Sequence, residues 1–363
     1  MKYLDEFRDK KLVGIISAQI SEIADPRRRC RFMEVCGTHT MAISKYALKS
    51  LLPPNIELIS GPGCPVCVTE EDYIDKALFI SNIKGAIIAT FGDMLRVPGR
   101  TSSLEKERAE GASVKVVYST MDALELAKKN PDKKVVFLGI GFETTAPTVA
   151  ASILYARKNN IKNYFVLGGN KLIPPALKEL AGAEDISIDG FILPAHVSAI
   201  IGSIPYKFIP ERFRIPCVIA GFEPVDIMQG ILWLVSQILR GKPRVQIQYN
   251  RVVKEKGNTR AQDIMNTVFE KKDSVWRGLG TIEKSGLKIR DKFKEYDAEN
   301  IYRVKLEKKK SDSKGCICGL VLKGVKKPTD CALFGRRCTP IHPVGPCMVS
   351  SEGTCAAYFK YGG

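Results

Sequence analysis

From residue 30 to 240 the chain repeats one pattern: an uninterrupted apolar or β-branched run, a glycine-containing turn, and a longer stretch with helical spacing. The runs lie in RFMEVCGTHT, IELISGPGCP, GAIIATFGD, SVKVVYST, KKVVFLGIGFETT, NYFVLGGNK, DGFILPAHVS and PCVIAGFEPVD. Runs of about four to eight apolar residues that do not alternate with polar ones predict strands buried on both faces, as in a parallel sheet covered by helices. The fold class is therefore α/β with open sheets. Ligands of such sheets bind beyond the carboxyl ends of the strands. Cys36, Thr38, His39, Cys64, Cys67, Asp93, Glu143, Thr144, Thr145, His196 and Glu223 all follow a predicted strand directly.

Beyond residue 241 the pattern changes to charged, helix-compatible stretches such as AQDIMNTVFEKKD, then to a Cys/Gly/Pro-rich tail from Gly315. Little there could form a conventional core, and segments of that kind are usually held by a metal or by disulfides. A length of 363 residues suits two or three domains, and 45% hydrophobic with 26% charged residues excludes a disordered chain. No apolar run approaches the roughly 18 residues of a membrane span, and the charged start MKYLDEFRDK does not resemble a signal peptide. A cytoplasmic protein is expected.

Charge changes the picture only in the last third. Residues 1–240 carry 30 Lys/Arg against 26 Asp/Glu, whereas residues 241–363 carry 26 against 13. Such a surface could meet nucleic acid or an acidic protein. No aromatic-rich basic groove accompanies the charge, so protein docking is expected and nucleic-acid binding is not. The Lys308-Lys309-Lys310 run reads as a solvated linker.

Nucleotide motifs are missing. Gly139-Ile140-Gly141 supplies G-x-G, but Thr144 occupies the third glycine position of a dinucleotide fingerprint, and no G-x-x-x-x-G-K-[ST] occurs. Gly141-Phe142-Glu143 and Gly221-Phe222-Glu223 hint at a faint internal repeat.

The candidate chemistry is in the 11 cysteines. Six of them, Cys316, Cys318, Cys331, Cys338, Cys347 and Cys355, fall in the tail, two more than a zinc site or an iron-sulfur cluster needs. The spacings lack paired C-x-x-C knuckles, and glycine-rich surroundings can hydrogen-bond sulfur. Both points favour a cluster over zinc, with inert thiols a third reading. Cys316 and Cys318 are close for one cluster, which leaves one of them to pair elsewhere. Cys64-Pro65-Val66-Cys67 is a C-x-x-C at a strand-to-helix turn, where a helix N-terminus can lower a thiol pKa and favour a reversible disulfide. Its alternative is half of a metal site completed by Cys36 and His39. Cys36 begins Cys36-Gly37-Thr38-His39-Thr40, in which a thiolate could hold a metal with His39 as co-ligand or hydrogen-bond donor.

The segments Glu34–Thr40, Gly61–Val68, Gly139–Pro147, Pro194–Ser198 and Gly345–Cys355 closely resemble the hydrogenase maturation (formation) protein family HypD, over essentially the whole chain. The resemblance implies two Rossmann-like open-sheet domains plus a smaller, mainly helical C-terminal iron-sulfur domain. On this sequence these map to a helix in 1–29 that could pack on the C-terminal domain, α/β domains at 30–125 and 126–240, and a basic helical region with the cluster domain at 241–363. It also implies a scaffold for the Fe(CN)2CO group of [NiFe] hydrogenase, acting with the small chaperone HypC and with HypE as cyanide donor. Carried over, Cys36 is the ligand of the iron that transiently carries CN and CO. Cys64/Cys67 become a redox pair, Cys316, Cys331, Cys338 and Cys355 the [4Fe-4S] ligands, and Cys318/Cys347 a second dithiol that relays electrons toward Cys36. Thr38, His39 and Thr40 are expected to donate hydrogen bonds at the iron, and Glu143 and His196 to close the crevice. An iron-sulfur thiol-disulfide reductase acting on a protein partner is the alternative, and a zinc-dependent nucleic-acid binder the third class.

Overall fold

The computed structural model describes residues 5–304, 306 and 315–362, so the Lys308-Lys309-Lys310 run lies outside the described residues. All eight apolar runs form strands: β1 (Cys30–Glu34), β2 (Ile56–Ser60), β3 (Ala86–Thr90), β4 (Val114–Val116), β5 (Lys134–Gly141), β6 (Tyr164–Asn170), β7 (Gly190–Pro194) and β8 (Cys217–Ala220). With β9 (Val245–Ile247) they make two parallel sheets, ordered β2-β1-β7-β8-β9 and β4-β3-β5-β6. The central strands are buried along their length, as the uninterrupted apolar runs require.

The expected division at residue 125 does not follow the sheets. That position lies between β4 and β5, which share one sheet, and the other sheet is assembled from segments on either side of that insertion. The pairing of β1 with β7, register Phe32 to Gly190, closes it. A Cβ at Gly190 would sit 2.9 Å from the Phe32 ring, so a bare backbone admits the aromatic side chain and decides this long-range partnership.

Two further expectations are corrected by packing. The helix Lys10–Ile23, capped by the Asp9 carboxylate accepting from the Lys11 and Leu12 amides, does not lie on the cysteine-rich tail. Its apolar stripe Val13, Ile16, Ile20 packs on the helix Pro224–Leu239, in one core with Ile231 and Leu234. The region 241–302 is not simply helical: the helix Thr259–Val268 passes into an antiparallel hairpin of β10 (Phe269–Trp276) and β11 (Gly280–Ile289). The exposure of β10 alternates, and the fully buried Trp276 anchors it by stacking on Phe142 at 5.8 Å and donating its indole N–H to Ser285 Oγ at 2.8 Å. Residues 315–362 carry short helices, Cys318–Leu322 and Thr354–Tyr361, the second lying on the helix Gly37–Lys45. No described helix is long and apolar enough to cross a membrane.

Candidate functional site

The carboxyl ends of β1, β3, β5 and β7 open onto one crevice of about 410 Å³ between the two sheets. Of the residues singled out in the sequence, Cys36, Thr38, Asp93, Thr144, Thr145 and His196 line it. His39, Thr40, Cys64, Cys67, Glu143 and Glu223 do not, and the structure shows what each does instead.

Glu143 turns away, and both its carboxylate oxygens accept from the Ile173 amide, at 3.0 and 3.2 Å. It therefore caps the helix Ile173–Ala181, and burial pushes its carboxyl up to about 8. Glu223 lies beyond β8 as the N-cap residue of the helix Pro224–Leu239, and its carboxylate accepts two hydrogen bonds from Arg8, at 2.5 and 2.8 Å. The two Gly-Phe-Glu turns thus share a place after a strand but not a task, Glu143 serving a helix remote in the chain and Glu223 starting the helix that follows it. His39 is fully buried. Its Nε2–H is shared between the carbonyls of Ala220, at 3.1 Å, and Gly221, at 3.0 Å, while Nδ1 has no partner. Burial holds the imidazole down to about 4, so it is neutral. Phe222 separates it from His196, with ring centroids 4.8 Å and 4.1 Å away.

Around Cys36 the backbone is packed tightly. A Cβ at Gly63 would stand 2.2 Å from the Cys36 nitrogen, and one at Gly37 would stand 2.5 Å from Glu352 Cβ, so glycine at both positions brings the Gly61–Val68 loop and the tail against the Cys36 turn. The Cys36 amide donates to Glu34 Oε2 at 3.1 Å, Thr40 donates to the other oxygen, and Thr38 Oγ1 donates to Glu352 Oε1 at 2.7 Å. Burial raises Glu34 to about 8, and burial, then the Glu352 charge, pushes the Cys36 thiol up to about 12. Free Cys36 is a neutral thiol, and a bound cation would be needed to hold it as thiolate. Sequence reasoning assigns no role to Glu34 or Glu352. The available signal was their place inside two of the motifs, a carboxylate amid Gly, Ser and Cys.

The Cys64-x-x-Cys67 turn places Cys64 at the helix N-terminus as expected, but leaves Cys67 in the interior. Its helix, Pro65–Val68, is a single turn, Cys67 is wholly buried, and burial drives its thiol well above the ordinary range. His39 Nε2 is committed to two backbone carbonyls, and of Cys36, His39, Cys64 and Cys67 only Cys36 lines the crevice, so the four do not gather there as the alternative metal site. What the fold does assemble is a string of thiols. Cys64 Sγ accepts from the Cys67 amide at 3.3 Å, Cys67 Sγ approaches the Pro346 carbonyl next to Cys347 at 4.0 Å, and the thiols of Cys64, Cys67, Cys347, Cys318 and Cys316 follow one another within electrostatic reach. Cys316 and Cys318 face a small apolar cavity whose wall also includes Cys331, Cys338, Cys347 and Cys355. That wall carries no carboxylate or imidazole, and the Val344 amide donates to Cys338 Sγ at 3.3 Å. Such a donor set, soft sulfur with amide support in an apolar setting, fits an iron-sulfur cluster.

Fold and site together define an α/β protein in which a buried row of thiols joins a cysteine cradle to a crevice between two parallel sheets. The chain matches the sequence model of HypD, the hydrogenase formation hypA family, over residues 11–362. It is 48% identical to the hydrogenase maturation factor HypD2 of Bradyrhizobium diazoefficiens, covering 100% of this chain and 97% of that protein. To HypD of Cupriavidus necator it is 46% identical, over 100% and 97%. To a putative hydrogenase expression/formation protein of Methanocaldococcus jannaschii it is 43% identical, over 97% and 98%. The chain belongs to the HypD family, and its role is in hydrogenase maturation.

Proposed function

We propose that this protein is the scaffold on which the Fe(CN)2CO group of [NiFe] hydrogenase is assembled, in complex with HypC and with HypE as cyanide donor. The observation that carries the reading is the succession of neighbouring thiols that ends at the loop packed on Cys36, the one cysteine that lines the crevice among the described residues. Iron with strong-field ligands is the cargo of this site. Cys36 supplies a single thiolate, and Thr38, Glu352 and His196 line the crevice beside it. A site with one protein thiolate is open to completion by a partner and to later release.

Cys316, Cys331, Cys338 and Cys355 would hold a [4Fe-4S] cluster, which supplies single electrons when bound. The dithiols then exchange in sequence. The Cys347 thiolate attacks Cys67 of a Cys64–Cys67 disulfide, which gives a Cys67–Cys347 disulfide and frees the Cys64 thiolate. Cys318 then attacks Cys347, releasing Cys67 as thiolate and leaving Cys318–Cys347 oxidised. Two protons pass from the Cys318/Cys347 pair to the Cys64/Cys67 pair, and no other reagent is consumed. Exchanging sulfurs must come near contact, and the succession of neighbouring thiols supports this order of exchange.

The test is anaerobic co-purification with the chaperone followed by infrared spectroscopy. Cys36→Ala is expected to keep the brown colour and lose the cyanide and carbonyl bands. Retention of those bands would move the iron to another site, with Cys64/Cys67 next in line. The same string favours a second reading, an iron-sulfur thiol-disulfide reductase acting on a protein partner. A wild-type complex without diatomic bands that reduces a partner disulfide would select it.

A further inference from the structure

The turn of the β10–β11 hairpin is wedged between the two cysteine motifs. On one side the Arg277 amide donates to the Val68 carbonyl and its Nε to the Thr69 carbonyl, both at 2.9 Å, at the end of the Cys64-x-x-Cys67 turn. On the other side Gly278 meets Gly319 backbone to backbone. A Cβ at Gly278 would stand 2.3 Å from Gly319 Cα, one residue from Cys318. The guanidinium is held between these contacts. Nη1 lies 3.6 Å from a Glu71 carboxylate oxygen, while Nη2 is buried and has no hydrogen-bond partner. A buried donor on a cation is costly to leave unmade, and this one sits on the turn that joins the two cysteine motifs. The guanidinium charge reaches both Cys316 and Cys318, where it favours the thiolate against neighbouring thiols and burial, which raise both groups.

We propose that Arg277 is a positioning residue whose guanidinium is the counter-charge of the electron-carrying centre in the cysteine cradle, so that it favours the reduced state. The inference rests on the cradle holding an iron-sulfur cluster. Four thiolates on a cluster carry net negative charge, and reduction adds one more. A fixed cation in a site of low dielectric therefore stabilises the reduced form more than the oxidised form. The Glu71 carboxylate opposes it, so the two residues set the potential with opposite signs.

The test is an anaerobic redox titration of the purified full-length protein, followed by electron paramagnetic resonance, on wild type, Arg277→Met, Arg277→Lys and Glu71→Gln. Removal of the charge in Arg277→Met is expected to make reduction at least tenfold less favourable, 59 mV for one electron. Arg277→Lys is expected to recover most of the shift, and Glu71→Gln to move the potential the other way. Clusters of unchanged potential in Arg277→Met would overturn the proposal. Where Arg277→Met binds no cluster, Glu71→Gln decides, and a potential that is unchanged or lower in that variant overturns it. Wild-type protein free of iron and sulfide would refute the cradle reading itself and this inference with it, whereas wild-type cluster with insensitive variants refutes only the role of Arg277.

Discussion

Replacing Glu143 by Gln isolates one buried carboxyl whose cost can be worked out. The side chain is 2% exposed, accepts from the Ile173 amide with both oxygens, and has its pKa raised by burial from 4.5 to about 8. Because the folded state binds this proton more tightly than the unfolded state, stability is complete below pH 4.5 and falls as pH rises through 8. Within that window the loss approaches about 1.4 kcal/mol per pH unit, or roughly 2–3 kcal/mol between pH 5.5 and 7.5. Gln keeps an oxygen for the Ile173 amide and has no proton to lose. Urea unfolding of wild type and Glu143→Gln at both pH values reads the difference. The variant is expected to match wild type near pH 5 and to exceed it by that margin at pH 7.5. His39, whose lowered pKa gives stability that is lost as pH falls from 6.5 toward 4, is present in both proteins and cancels. Parallel loss of stability in the two proteins would refute the argument and place the ionised carboxylate in a better-solvated setting than the fold indicates.

Gly37→Ala should put a methyl group 2.5 Å from Glu352 Cβ and push the tail away from Cys36, costing about 1–3 kcal/mol of stability and breaking the Thr38–Glu352 hydrogen bond. Thermal unfolding and protease sensitivity of residues 345–362 would report it, and an unchanged tail would contradict it. Cys347→Ser removes the middle of the thiol string. Mass spectrometry under mild oxidation should then find Cys64–Cys67 disulfide that Cys318 cannot reduce, whereas normal exchange would place the relay elsewhere. Gly278→Ala, at φ +81° and against Gly319, should loosen the hairpin turn from the Cys318 helix, seen as faster amide exchange in Cys318–Leu322; unaltered exchange would show that the contact is not needed.

Much of this protein is legible in its sequence because its strands are buried on both faces. Eight apolar runs gave eight strands, and the glycine or cysteine that follows six of those runs, with His196 after β7, identified the functional edge of the sheets. The motifs also singled out Cys36, Thr38 and His196, which line one crevice. Sheet membership was not legible. Whether β1 joins β7 or β3 depends on the shape of Gly190 against Phe32, a contact across more than a hundred residues that no local pattern encodes. The hairpin was missed for a related reason. Charged residues dominate β10 because one of its faces meets solvent, and only the burial of Phe269 and Trp276 at its ends turns that stretch into a strand. Side-chain direction was likewise a tertiary decision. Glu143 and His196 both follow strands, yet the unsatisfied amide of Ile173 draws Glu143 into the interior while His196 packs on Phe222 at the crevice. The spacing of the cysteines fixed how many thiols the protein has. Only the packing of a glycine-rich tail and a hairpin turn against the Cys64-x-x-Cys67 loop placed five of them in a row, because contact between sulfurs is set by the close approach of backbones that are far apart in the chain.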